Sequence, residues 1–223
     1  WRRRHDYYLN CLQDADRNIT PLLDELDALG LASRTIVILT ADHGDLDGAH
    51  RLHSKGATAY REQNNVPLII SHPGYRGGGR CRAVTTHLDL APTLVGLTNA
   101  SPEKKASIVK PLPGRDFSTL LAAPEKATTT SVRDGALYCY NMFAYIDGDF
   151  MARVVAILGQ PDGKAKLQQA AKSGELRPDL GKRGAIRSVV DGRYQLTRYF
   201  SPRQHHRPTS IEALFRLNDV ELF

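Results

Sequence analysis

The sequence predicts an α/β fold built on a mostly parallel sheet, with a small antiparallel α+β subdomain at its C-terminal end. Three observations carry this. Thr35-Ile36-Val37-Ile38-Leu39-Thr40 is β-branched and apolar almost throughout, the composition of a strand buried on both faces of a parallel sheet. It follows an amphipathic helix that stops at a glycine, the αβ half of a βαβ unit. Far downstream, apolar runs flank Asp191-Gly192, a dipeptide that turns one strand back on the next.

Taken in order, residues 6–29 place Ile19, Leu22, Leu23, Leu26 and Leu29 on one stripe, with Asp14, Asp16, Asp24 and Asp27 elsewhere. That spacing is helical. Pro21 predicts a kink or break near Thr20, and Gly30 suits the C-cap. After the strand at 35–40, residues 45–65 are mixed polar with scattered glycine and no period. A connection of that length is usually functional. Val66–Ser71 reads as a second buried strand, with Pro67 tolerated near its start. Pro73-Gly74-Tyr75-Arg76-Gly77-Gly78-Gly79 is a turn; it lacks the G-x-x-x-x-G-K-[ST] spacing of a phosphate cradle.

Asp89 is expected to cap a helix from Leu90 to Leu97, so His87 and Asp89 read as capping and packing rather than metal ligands. From Asn99 to Thr130 the pattern loosens around Pro102, Pro111, Pro113 and Pro124, with a short helix at Asp116–Ala122. The division therefore falls there, with one domain at 1–125 and a second at 126–223. In the second, Tyr138–Phe143 and Phe150–Leu158 are expected as strands and Lys164–Lys172 as a helix. Val189–Leu196 is expected as a hairpin with a type I′ turn.

Composition sets the outer bounds. The 223 residues suit one large domain or slightly more. No run of about 18 apolar residues occurs, so no helical membrane span is expected. The net charge of +6 is compatible with anionic substrates. Much of it comes from Trp1-Arg2-Arg3-Arg4-His5 and Arg203-Gln204-His205-His206-Arg207. These clusters read as solvated surface, with no nucleic acid partner, because aromatic residues do not interleave with the basic ones. Cys11, Cys81 and Cys139 form no C-x-x-C pair, and an odd number leaves one unpaired in any disulfide scheme. The sequence is compatible with a homo-oligomer and selects no stoichiometry. The chain opens without Met and closes on Leu217-Asn218-Asp219-Val220-Glu221-Leu222-Phe223, which reads as a piece of a longer protein.

The chemistry concentrates where the first strand ends, at Asp42-His43-Gly44. In open α/β sheets ligands bind beyond the carboxyl ends of the strands. A carboxylate beside an imidazole suits a divalent cation. On these residues alone an ordinary turn cluster remains the alternative. Downstream come Asp47-Gly48-Ala49-His50, Leu52-His53-Ser54-Lys55-Gly56, Tyr60-Arg61-Glu62 and Val66-Pro67-Leu68-Ile69-Ile70, then Thr86-His87-Leu88-Asp89-Leu90-Ala91-Pro92-Thr93-Leu94 and Asp191-Gly192-Arg193-Tyr194. In this order they resemble the sulfatase family of the alkaline-phosphatase superfamily, densely from Tyr7 to about Gly96 and thinly after that.

The resemblance implies an alkaline-phosphatase-like fold, present in part, and a metal-dependent sulfuric ester hydrolase of arylsulfatase type acting on a small-molecule sulfate ester. It implies that Asp42 and His43 supply half of a metal shell, with two acidic ligands lying outside these residues. Calcium is the expected ion, with manganese or magnesium as alternatives because an imidazole is present. It implies a sulfate contact for Lys55. His53 is expected to donate a proton to the leaving group and His50 to contact substrate, although in the family the acid histidine more often comes from the part absent here. Loop packing stays an equal alternative for both histidines. Asp45 is expected to bond amides of its own turn, and Tyr60 and Glu62 to hold the loop.

The family's nucleophile is a formylglycine made from Cys or Ser in C/S-x-P/A-x-R. No such motif occurs here, so it is expected in a part of the protein beyond this chain. Hydrolysis of a phosphate or phosphonate ester, and a non-catalytic metal-binding module, are the competing readings.

Overall fold

The computed structural model describes residues 1–204 and 207–223, the side chains of Phe143 and Ala144 excepted. His205 and His206 of the second basic cluster lie outside the described residues. The chain divides into two compact units: Trp1–Lys55 with Tyr60–Asp134, and Gly56–Ala59 with Gly135–Phe223.

The first unit opens with α1 (Arg2–Ala28), which continues through Pro21 without interruption. Its end is a Schellman motif: Leu31 N–H donates to Leu26 O, Gly30 N–H donates to Asp27 O, and Gly30 takes φ +63°. The glycine stop read from sequence is therefore real, whereas the break expected at Pro21 is absent. The stripe of the helix is covered only in part: Ile19 and Leu26 are half-buried, whereas Leu22, Leu23 and Leu29 are exposed.

Next come β1 (Val37–Thr40), α2 (Arg61–Asn64) and β2 (Leu68–Ser71). β1 and β2 pair antiparallel, Val37 opposite Ser71 and Thr40 opposite Leu68. The α/β class stands, but this pairing departs from the expected parallel one. The connection returns the chain to the end of the sheet it left, with only a 3₁₀ turn at Ala49–Arg51 and a four-residue helix on the way and no crossover helix. The strands are also not buried on both faces: Leu39, Leu68 and Ile69 are exposed.

A 3₁₀ turn at His87–Asp89 leads into α3 (Leu90–Gly96), and Ser101 caps α4 (Pro102–Val109) by accepting from Lys104 N–H at 3.3 Å. The helix α4 falls where the sequence pattern seemed to loosen; Ser-Pro-Glu was a start signal there. Around α3 lies a buried group of Pro92, Thr93, Phe117 and Val132. Phe117 N–H donates to Thr93 Oγ1.

The second unit contains β3 (Ala136–Tyr140), α5 (Phe143–Ile146), α6 (Gly148–Leu158), α7 (Gly163–Ser173), β4 (Ala185–Val190), β5 (Gln195–Phe200), α8 (Ile211–Leu217) and β6 (Asn218–Leu222). Its sheet is antiparallel in the order β3-β4-β5-β6. Phe150–Leu158, expected as a strand, is the helix α6. Asp147 caps it, its Oδ1 accepting from the N–H groups of Asp149 and Phe150. The less exposed positions 150, 151, 154 and 157 have helical spacing, which wins over the apolar run.

The hairpin at Asp191-Gly192 is present, but its connection spans four residues and only Gly192 has positive φ. Asp191 N–H donates to Tyr194 O, and Asp191 Oδ1 accepts from Arg193 and Tyr194 N–H, so backbone and side chain together close a turn expected as type I′. Ile186, Phe200 and Thr197 are almost fully buried here, and the Ser188 and Thr197 hydroxyls bond to each other across the strands. No described helix is long and apolar enough to cross a membrane.

Candidate active site

β1 ends at Thr40, and the next residues build the site. Gly44 comes first because it sets the direction. Its N–H donates to Gln63 O at 2.8 Å, and a Cβ at this position would collide with the Glu62 carbonyl. Only glycine allows the chain leaving the strand to lie this close to the start of α2. His87 holds the strand end from another side, its Nε2–H donating to Ala41 O at 2.9 Å.

The loop then folds back on itself. Asp45 Oδ1 accepts from both Asp47 N–H (2.8 Å) and Ser54 N–H (2.9 Å). Leu46 N–H donates to Ser54 O, and the Leu46 side chain is buried. Four of the five non-glycine residues with positive φ among the described residues, Asp47, His50, Arg51 and Ser54, lie in this one stretch. Such conformations cost of order 1–3 kcal/mol each and persist where surrounding bonds over-determine them. The bonds made by Asp45 supply that determination and bring Ser54, and so Lys55, back to the strand end.

Three of the five site residues read from sequence meet there. Lys55 Nζ donates to His43 Nε2 at 2.5 Å, and Asp42 Oδ2 lies 3.5 Å from the same nitrogen. His43 Nδ1–H donates to Gly44 O at 2.9 Å. That bond selects the Nδ1–H tautomer and leaves the Nε2 lone pair facing a cation, here an ammonium. The Asp42 side chain is 87% exposed. Its carboxyl is held below the usual carboxylate range, chiefly by the hydrogen bond from the His43 backbone N–H, with the nearby Lys55 ammonium adding to it.

One lone pair and one carboxylate therefore face one position. That donor set fits a divalent cation as two ligands of a larger shell. Among the described residues no cluster of three such ligands occurs.

The other two histidines are placed elsewhere in the loop. His50 stacks on Tyr60, ring centroids 3.7 Å apart and planes within 11°, and its Nε2 is 3.5 Å from Glu62. His53 is exposed and lies beside Trp1, centroids 6.3 Å apart. The start of α1 docks on the same loop, with His5 Nδ1 bonded to Asp47 Oδ2 at 2.6 Å. Sequence reasoning missed this contact, since no pattern links residues 42 positions apart. Asp89 is occupied entirely by protein donors: Thr86 N–H, Arg115 N–H and the guanidinium of Arg133.

Residues 2–100 match the family model described as Sulfatase. The chain is 38% identical over 118 residues to the uncharacterized sulfatase YidJ of Escherichia coli, covering 51% of this chain and 21% of that protein. It is 30% identical over 143 residues to an endo-4-O-sulfatase of Bacteroides thetaiotaomicron, covering 64% and 27% respectively. A solved structure described as a complex with its substrate D-glucosamine-2-N,6-O-disulfate superposes with TM-score 0.59 at 18% identity, over 95% of this chain and 32% of that one. The chain thus spans about a fifth to a third of the proteins it resembles. Residues 2–100 are thus sulfatase-like in sequence, and the chain as a whole shares the fold of the solved structure on which it superposes.

Proposed function

We propose that the intact protein hydrolyses a sulfate monoester by metal-dependent chemistry of arylsulfatase type, and that this chain contributes two metal ligands and one sulfate-binding cation. The observation that carries the reading is the convergence of Asp42, His43 and Lys55 on one point at the strand end, with Lys55 Nζ 2.5 Å from His43 Nε2.

Asp42 and His43 would hold the cation, calcium first and manganese or magnesium second, through a carboxylate oxygen and the Nε2 lone pair. The bound ion would supply positive charge to the nucleophile and to the sulfuryl oxygens. With His43 Nε2 given over to an ion, the Lys55 ammonium would be free to face the anion instead. A compact ammonium acts there as a point charge on oxygens whose negative charge grows in the transition state. Protonation of the leaving alcohol falls to His53, whose nitrogens make no hydrogen bond among the described residues. His50, stacked on Tyr60 and 3.5 Å from Glu62, braces the loop from which it would also reach substrate. The nucleophile, a formylglycine in this reading, belongs to a part of the protein beyond these 223 residues.

The test uses the full-length protein with 4-nitrophenyl sulfate. Hydrolysis is expected to stop on chelation and to return with added metal. Lys55→Ala should lower the rate by at least about tenfold, the equivalent of 1.4 kcal/mol of transition-state binding; an unchanged rate removes Lys55 from the site. Asp42→Ala should lower metal content by elemental analysis, and unaltered stoichiometry overturns the ligand assignment. Faster turnover of 4-nitrophenyl phosphate than of the sulfate moves the protein to the phosphate-ester reading. The isolated 223-residue chain should show no turnover.

A further inference from the structure

Arg187 of β4 and Arg198 of β5 stand directly opposite each other in the sheet. Like charges at opposed positions destabilise a strand pair. Both side chains are half-buried, which weakens the screening that water would provide. Neither pairs with a carboxylate among the described residues: Glu221 is engaged by the Tyr199 hydroxyl, and Asp219 by Arg183. Burial, and then the charge of Arg187, pull Arg198 below the usual range for a guanidinium.

Each fork is nonetheless held in place. Arg187 Nη1 donates to Asn141 Oδ1 (2.8 Å) and Ile186 O (2.7 Å), and Arg198 Nη1 to Asn218 Oδ1 (3.0 Å). Both guanidinium carbons approach the buried Phe200 ring, at 5.4 and 4.5 Å from its centroid. The Nε and Nη2 donors of both make no hydrogen bond among the described residues. Two orientated forks with spare donors, fixed on one ring, have the form of a receptor for an oxyanion.

Beside them lies a cleft of about 320 Å³ walled by Leu137, Val189, Leu196 and Leu214. The first three form one continuous row, Leu137 opposite Val189 and Val189 opposite Leu196, and all three are exposed.

We propose that Arg187 and Arg198 form a binding site for an oxyanion carried on an apolar or ring-shaped body, a sulfate monoester, sulfonate or carboxylate, whose body lies against the leucine and valine row. The anion bridges the two guanidiniums and cancels the repulsion that the empty pair carries. The site is made wholly within the second unit and is independent of the reading of Asp42, His43 and Lys55.

The probe is 4-methylbenzenesulfonate, which has a sulfur oxyanion on a ring and no ester bond to cleave. It is titrated into the 223-residue chain by calorimetry and by arginine Nε–H NMR. Saturable binding is expected, with shifts at Arg187 and Arg198. Arg187→Gln and Arg198→Gln should each weaken it by about tenfold or more, the scale of a lost charge-assisted fork. Inorganic sulfate should bind more weakly than the sulfonate, because it leaves the apolar wall bare. Leu137→Glu, at a 64% exposed position that carries no core packing, should abolish sulfonate binding and keep the fold. Absence of saturable binding, or Gln and Leu137 variants that bind as the wild type does, overturns the proposal.

Discussion

Two Asp–His pairs in the first unit look alike on paper and differ in the folded chain. Asp42-His43 ends β1, and His87 and Asp89 begin α3. Asp89 is fully buried, and its two oxygens accept from Thr86, Arg115 and Arg133. Asp42 is exposed, and its only hydrogen bond among the described residues comes from the next N–H along the chain. A carboxylate surrounded by protein donors has nothing left for a ligand and acts as a structural node. One that keeps lone pairs free beside an imidazole can bind something else. His87 follows Asp89 in this, since its Nε2–H is committed to Ala41 O. The structural pair thus braces the strand end that carries the open pair.

The contrast can be broken first at Asp89. Asp89→Ala strands the mostly covered Arg133 guanidinium and two backbone donors and should cost about 3 kcal/mol of unfolding free energy in urea titration. Asp42→Ala should leave the urea midpoint in place while lowering metal content in the full-length protein. Equal midpoint losses would erase the distinction.

A smaller effect is expected at Gly44. Gly44→Ala pushes a methyl group into the Glu62 carbonyl and should cost about 1–3 kcal/mol, typical of overpacking. Activity in the full-length protein should fall with it, because the same shift moves His43. A stable variant with normal activity would show that the close approach does not position the site.

A third test sets acid sensitivity in the second unit against the first. Asp147 accepts from Lys182 Nζ and from the N–H groups of Asp149, Phe150 and Asp179. Its carboxyl is held well below the ordinary carboxylate range, with the Lys182 ammonium the largest cause. A lowered folded-state pKa adds stability that is present above the unfolded-state value of about 4 and is lost as pH falls below it. Asp147→Asn should therefore lower Tm at pH 7 by on the order of 5 °C. It should also flatten the loss of Tm between pH 5 and 3. An acid limb as steep as the wild type's would remove Asp147 as its source.

The smallest effect is expected at the loop brace. His50→Phe keeps the stack on Tyr60 and drops the 3.5 Å approach to Glu62. An exposed pair of this kind contributes little, so Tm should stay within about 1 °C. A large fall in turnover by the full-length variant at unchanged Tm would return His50 to substrate contact.

What local signals reveal here is short in range. Gly30 stops α1, Asp191-Gly192 reverses the chain, and Asp45 ties its own turn; each depends on residues a few positions apart, whose steric and hydrogen-bonding preferences can be read directly. The motif order around Asp42, Lys55 and Tyr60 was likewise legible before any coordinates, as was the family it points to. Other features depended on distance in sequence. Whether Phe150–Leu158 formed a strand or a helix turned on a cap from Asp147 and on which side chains found cover. The antiparallel pairing of β1 with β2 turned on how a long loop returned. The docking of His5 on Asp47, and the meeting of Arg187 with Arg198, join positions that only a folded backbone brings within reach. Apolar pattern and turn chemistry act between neighbours, whereas strand register and the filling of a carboxylate's lone pairs are properties of the assembled chain.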